Sequence, residues 1–212
     1  MVLKFNANKA LIFRVTHIKN MQWIFKYGLH CSNSKVYDPD FEQIGNPDLI
    51  SKRKTRIVPI SPGGTLSDYI SFYFTPFSMM MYNINTGYGI RHLPNSEIVI
   101  MVSSLHNLVS CSVTSVYTDR HAYLYSANFF SSLDDLENID WELLQRRDFR
   151  RDLEDPEKTD RYQAEALIHN HLKVDQLLGI VCHGTNEERT LLAQLREVGT
   201  DLNIKVRPNW YF

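Results

Sequence analysis

The chain has 212 residues with a formal net charge of -1, and it is 43% hydrophobic and 22% charged. These totals fit one soluble globular domain spanning residues 1–212 and exclude a low-complexity or disordered chain. They also exclude a broad basic grip on nucleic acid, so any such contact must be local, and three widely spaced cysteines (Cys31, Cys111, Cys182) suit neither a disulfide framework nor a metal cluster.

The opening MVLKFNANKALIFRV has basic residues but no long apolar run and no small-residue cleavage site. A cytoplasmic protein without a membrane segment is expected. Ala10 to Ile18 reads as a short strand, and KNMQWIFKYGLH as a helix stopped by Gly28. The polar stretch Cys31 to Lys54 reads as a long loop, a common place for function. Pro62-Gly63-Gly64 marks a turn before an aromatic strand. Glu97 to Ser104 and Ser112 to Thr118 read as strands around a short helix. FFSSLDDLENIDWELLQ reads as helical around Phe130, Leu133 and Leu136 and again from Asp140 onward, and the charged run RRDFRRDLEDPEKTDR as a solvated loop. QAEALIHN and LLGIVCH read as strands. TNEERTLLAQLREVG reads as a helix capped by Thr185 or Asn186 and stopped at Gly199. NIKVRPNWYF closes the chain as a strand and aromatic tail. Many short strands with a few helices indicate an α+β domain.

Several residues in this frame could carry chemistry. Alternation in QAEALIHN places Gln163 and Glu165 on one strand face. A buried unpaired carboxylate costs several kcal/mol, so Glu165 is either solvated at a strand edge or used in a cleft. Arg14 and Thr16 share a face of the first strand, which either meets solvent or binds an anionic, hydrogen-bonding ligand. SKRKTR (Ser51 to Arg56) holds four cations in six residues, either a solvated face or a phosphate contact. In TDRHAYLY, Arg120, His121, Tyr123 and Tyr125 interleave cations with rings, a mixture that suits single-stranded nucleic acid. The HNH at His169 to His171 lacks a third ligand at useful spacing, so no metal is expected. No glycine-rich phosphate loop is present.

Taken in order, IFRVTHIKNMQWIFKYGLHCSNS, KRKTRIVP, GGTLSDYISFYFTPFSMMMYNI, YTDRHAYLYSANFF, LDDLENIDW, RYQAEALIH and NWYF resemble the DarT family of DNA ADP-ribosyltransferase toxins. The resemblance runs from about Leu11 to Phe212. It implies an ADP-ribosyltransferase-like fold, with a split mixed β-sheet core, flanking helices and a central NAD-binding cleft. It implies transfer of ADP-ribose from NAD+ to a base in single-stranded DNA, most simply thymine, with nicotinamide released and replication blocked. The partners it implies are NAD+, single-stranded DNA and a DarG-type macrodomain antitoxin. It places the catalytic pair at Glu165 and Arg53, with Gln163 in support. It places NAD+ contacts at Arg14, Val15, Thr16, Trp23, Cys31 and Arg53, and DNA contacts between His121 and Glu165. Arg120, His121, Tyr123, Arg147 and Arg150 are the DNA-contact candidates. Two positions depart from the pattern: Arg14 stands where some relatives have histidine, and Trp23 where a glycine can occur. Guanine in DNA, protein or RNA are the competing targets, and a binding module without catalysis is the competing class.

Overall fold

The structure is a computed structural model that describes residues 3–212. The first two residues of the amino-terminal stretch lie outside the described residues. In chain order the elements are β1 (Leu11–His17), α1 (Met21–Tyr27), β2 (Leu29–His30), α2 (Pro47–Arg53), β3 (Tyr69–Tyr73), α3 (Met79–Thr86), β4 (Ile98–Ser104) and α4 (Leu105–Ser110). They continue with β5 (Ser115–Thr118), β6 (Phe129–Phe130), α5 (Trp141–Arg146), α6 (Lys158–Arg161), β7 (Glu165–His169), β8 (His171–Leu172), β9 (Gly179–Cys182), α7 (Thr185–Val198) and β10 (Ile204–Val206).

Eight strands form one sheet in the order β10-β9-β4-β1-β3-β7-β5-β6, and β2 pairs with β8 apart from it. The β9–β10 pair is parallel and the other pairs are antiparallel, so the sheet is mixed. Its centre is not uniformly closed. β1 keeps register with β4 along its full length, from Leu11↔Ser104 to His17↔Ile98. With β3 it keeps only Phe13↔Tyr73. Beyond that pair the two strands part, and the sheet splits into a β1 half and a β3–β7–β5 half.

Alternation on β7 then decides what faces the split. Ala166 and Ile168 enter the main core with Phe13, Phe72, Phe74 and Ile100. Leu167 faces the other way, into a smaller cluster with Val58, Leu66, Tyr69, Val116 and Ala122. Glu165, two residues before Leu167, shares that second face. The smaller cluster anchors the segments around Val58 and Ala122 beside the carboxylate.

The helices follow local chemistry. Gly28 ends α1 at φ 81, where a Cβ would stand 2.6 Å from the Leu172 carbonyl oxygen, so only glycine fits. α7 buries Leu191 and Leu195 four residues apart and stops at Gly199, φ 65. Its N-cap is Gly184, ahead of the expected Thr185 or Asn186.

Three expectations need correction. The stretch read as a loop from Cys31 to Lys54 contains α2, whose N-cap Asn46 accepts from the Asp48 and Leu49 backbone N–H groups, with Pro47 as first residue. Asn-Pro is a helix start, and the surrounding polarity masked it. Gln163 is not on the strand: it sits in the turn after α6, and its side chain donates to the Thr159 carbonyl at 3.1 Å. The first part of FFSSLDDLENIDWELLQ, read as helical around Phe130, Leu133 and Leu136, is β6 followed by a 3-10 turn at Leu133–Asn138 capped by Ser132, whereas the helix expected from Asp140 onward forms as α5 behind its N-cap Asp140.

Candidate active site

Each catalytic candidate reaches the split from a different element. Glu165 is the first residue of β7, rigidly held and 1% exposed. Arg53 is the last residue of α2. His121 and Ala122 lie in the loop after β5. The Arg53 Nη1 donates to Glu165 Oε2 at 2.9 Å. The Ala122 backbone N–H donates to Glu165 Oε1 at 3.1 Å, and His121 Nδ1 stands 3.5 Å from the same oxygen. Burial would raise the Glu165 carboxyl. The Arg53 guanidinium, then His121 and the Ala122 N–H, outweigh it and hold the group below its ordinary range. Glu165 is therefore a carboxylate at neutral pH, although no water reaches it freely.

A cavity of about 370 Å³ opens above this pair. Its wall carries the rings of Trp23, Tyr37, Phe41, Tyr69 and Tyr73, apolar side chains such as Leu49, Ile50 and Met79, and the polar groups of Asn46, Asn83, His121 and Gln163. Two cations, Arg14 and Arg53, also face it. Arg14 reaches from β1 across the split to the Ser71 carbonyl at 2.7 Å. Burial, then the nearby Arg53 charge, lowers Arg14 to about 10, still charged at neutral pH. Arg14 Nε and Arg53 Nη2 are buried without a hydrogen-bond partner within the protein. Two unsatisfied cationic donors in one cavity fit a diphosphate, and the surrounding rings fit flat heterocycles. Burial, then the Glu165 charge, pushes the Tyr73 phenol well above its ordinary range, so it stays a neutral hydroxyl.

The structure thus brings together Arg14, Trp23, Cys31, Arg53, His121 and Gln163 on one wall, with Glu165 beneath. Glu165 does not open into the cleft directly, as its strand position suggests, but lies under Arg53 and His121. Val15 and Thr16 do not line the cavity. Val15 packs in the main core, and Thr16 is buried, accepting from Asn20 Nδ2 at 3.0 Å. Cys31 is buried, and burial pushes its thiol up, which suits packing rather than reactivity.

The DNA-contact candidates divide. His121 is at the site. Tyr123 packs against the smaller cluster, with Lys52 Nζ 5.9 Å from its ring centre. Arg120 is held by Asp119 and Glu157, Arg147 lies 3.5 Å over the Phe77 ring, and Arg150 pairs with Asp148. Tyr73 is a site residue that sequence reading missed. The signal was present: Tyr69, Ser71 and Tyr73 alternate along β3, and all three line the cavity.

Comparison with known proteins decides the family. The profile described as DarT: ssDNA thymidine ADP-ribosyltransferase matches residues 13–212. This chain belongs to the DarT family. An Escherichia coli O127:H6 DNA ADP-ribosyl transferase is 48% identical over 208 residues, covering 98% of this chain and 95% of that protein. Thermus sp. 2.9 DarT in complex with ADP-ribosylated ssDNA superposes with a TM-score of 0.90 at 27% identity, over 100% of both chains. The same Thermus protein in complex with NAD+ gives a TM-score of 0.84 at 28% identity, over 96% of this chain and 98% of that one. The fold is thus that of an ADP-ribosyltransferase, as the motifs implied. Among the described residues, no cluster of three or more metal-binding side chains occurs, and no helix is long and apolar enough to cross a membrane.

Proposed function

We propose that this chain acts as its family does, moving ADP-ribose from NAD+ to a thymine base of single-stranded DNA and releasing nicotinamide, with Glu165 and Arg53 as the catalytic pair. The observation that carries this reading is the buried Arg53–Glu165 ion pair at the floor of a cavity with two further cationic donors to spare. The diphosphate of NAD+ satisfies Arg14 and Arg53, and the rings of the wall hold its heterocycles. Val15 and Thr16 offer backbone rather than side chain, along the length of β1 that has parted from β3.

When the nicotinamide–ribose bond breaks, its electron pair leaves with nicotinamide and positive charge builds on ribose C1′. A fixed carboxylate close to that carbon stabilises the charge without reorganising at the moment of reaction. Glu165 supplies it, and its depressed proton affinity keeps it ionised for the task. The thymine ring nitrogen then closes on C1′ and gives up its proton to water late, as the N–C1′ bond forms and makes the N–H acidic. Arg53 polarises the base and steadies a phosphate; a guanidinium is almost always charged and makes a poor base. Because Arg53 covers Glu165, it must turn partly away for the ribose to reach the carboxylate, so Arg53 also controls access. Gln163, tied to Thr159, fixes the approach of the loop to β7 rather than touching Glu165.

The chain functions as one domain in the cytoplasm, where a macrodomain antitoxin of the DarG type removes the mark. The target is tested with oligonucleotides that contain thymine, guanine or neither, scored by mass spectrometry for an added ADP-ribose. Modification of the thymine strand alone is expected. An adduct on guanine alone, or on RNA or protein alone, contradicts the assignment.

A further inference from the structure

Outside the cavity, the cations of Ser51 to Arg56 other than Arg53 remain unused by the reaction. Lys52, Lys54 and Arg56 enter no salt bridge among the described residues. Beside them Tyr125 is 91% exposed, an unusual position for a ring of that size. The Arg56 guanidinium lies 5.0 Å from the Tyr125 ring centre and 5.6 Å from that of Phe129. Arg56 is held in turn: its Nη2 donates to the Leu124 carbonyl at 2.8 Å and its Nε to the Ala122 carbonyl at 3.4 Å. Ala122 is the residue whose N–H holds Glu165. A chain of contacts therefore runs from the exposed ring through Arg56 and Ala122 to the carboxylate.

The geometry points to Tyr125, braced by Arg56, as a stacking platform for a base next to the modified thymine, with Lys52 and Lys54 on the adjoining phosphates. This deepens the reading above and rests on it. An exposed ring stacks any base, and unpaired cations attract a polyanion, so the occupant is the single strand itself. The bracing of Arg56 fixes the platform relative to Glu165, so a stacked neighbour would place the target base over the cavity.

The test is the anisotropy of a labelled thymine-containing single strand, without NAD+, for the wild type, Tyr125→Ala, Tyr125→Trp and the double variant Lys52→Gln/Lys54→Gln. Tyr125→Ala is expected to weaken binding about tenfold, the order that one lost base–aromatic stack gives, and Tyr125→Trp to restore it. An abasic site at one position flanking the thymine should weaken wild-type binding by the same factor and leave Tyr125→Ala binding unchanged. The double variant should flatten the salt dependence by about 1.4 in log–log slope, the share of two single-strand phosphates. Equal affinity of Tyr125→Ala and wild type overturns the platform while the transferase reading stands. Weaker binding with no coupled abasic position also overturns it, since the ring then acts through loop shape. A wild type that neither binds nor modifies single strands fails the functional reading, and the platform with it.

Discussion

Two segments of this chain are rich in cations, and they meet opposite fates. In Ser51–Arg56 only Arg53 has a carboxylate partner among the described residues, and that partner is the buried Glu165. In the run from Arg146 to Arg161, acids within or beside the run pair with Arg146, Arg150, Lys158 and Arg161, while Arg147 and Arg151 enter no salt bridge among the described residues. Lys158 Nζ reaches Asp148 and Asp152, both at 3.2 Å, and Arg161 reaches Asp140 and Asp155. Hydrogen bonds from Arg150 and Lys158 hold Asp148 down to about 2. The charge run that looks more suited to DNA is thus largely paired with its own neighbours. The shorter one, with donors left over, holds the cation proposed for the chemistry. Burial against one carboxylate with a donor still to spare, not the number of charges, sets the proposed working cation apart.

The sharpest way to break this comparison is at the buried pair. Glu165→Ala is expected to lower the rate of DNA modification by on the order of 10²–10³, the usual loss when one charge-stabilising group is removed from an active site. Arg53→Ala is expected to lose activity too, and also about 3–5 kcal/mol of stability, because it strands a buried carboxylate. Chemical denaturation measures the second effect. Arg53→Lys should recover much of the stability but not the rate. Full activity in that variant would remove the guanidinium from the account.

The pair also has a pH signature. The Glu165 carboxyl is lowered from its ordinary value of 4.5 in the folded protein, so its stabilising share is complete above that value. The share is lost as pH falls through the lower folded value. Thermal melts of Glu165→Gln and wild type should therefore converge below the ordinary carboxylate range and separate above it. Curves that stay parallel across that range would deny the pair its electrostatic role. The smallest effect belongs to the second segment. Arg150→Ala, at an exposed arginine already paired with Asp148, should leave single-strand affinity within about twofold of wild type. A large loss in a filter-binding assay would return that run to the DNA surface.

How far the sequence alone reached depends on the range of each contact. The β7 strand was legible because alternation is local: Ala166 and Ile168 against Glu165 and Leu167. The special character of Glu165 was half legible, since a carboxylate on such a strand is either solvated or used. Its burial under Arg53 was not, because the two residues are 112 positions apart and only the fold joins them. Arg53 came from resemblance, while the helix that delivers it went unread inside a polar stretch. Asn46 and Pro47 announced it nonetheless. Gln163 was misplaced by the same alternation that found Glu165, because α6 and its turn run up to Ala164 and the period only begins after it. The split itself left no local trace: β1 reads as one continuous strand, and only its single pairing with β3 reveals the cleft.

The measurement that tests the central claim most directly is mass spectrometry of a thymine-containing single strand after incubation with NAD+, run beside Glu165→Ala. The account predicts one added ADP-ribose with the wild type, nicotinamide released in equal amount, and on the order of a hundredfold less of both, or lower still, with the variant. An adduct formed equally well by Glu165→Ala would contradict it.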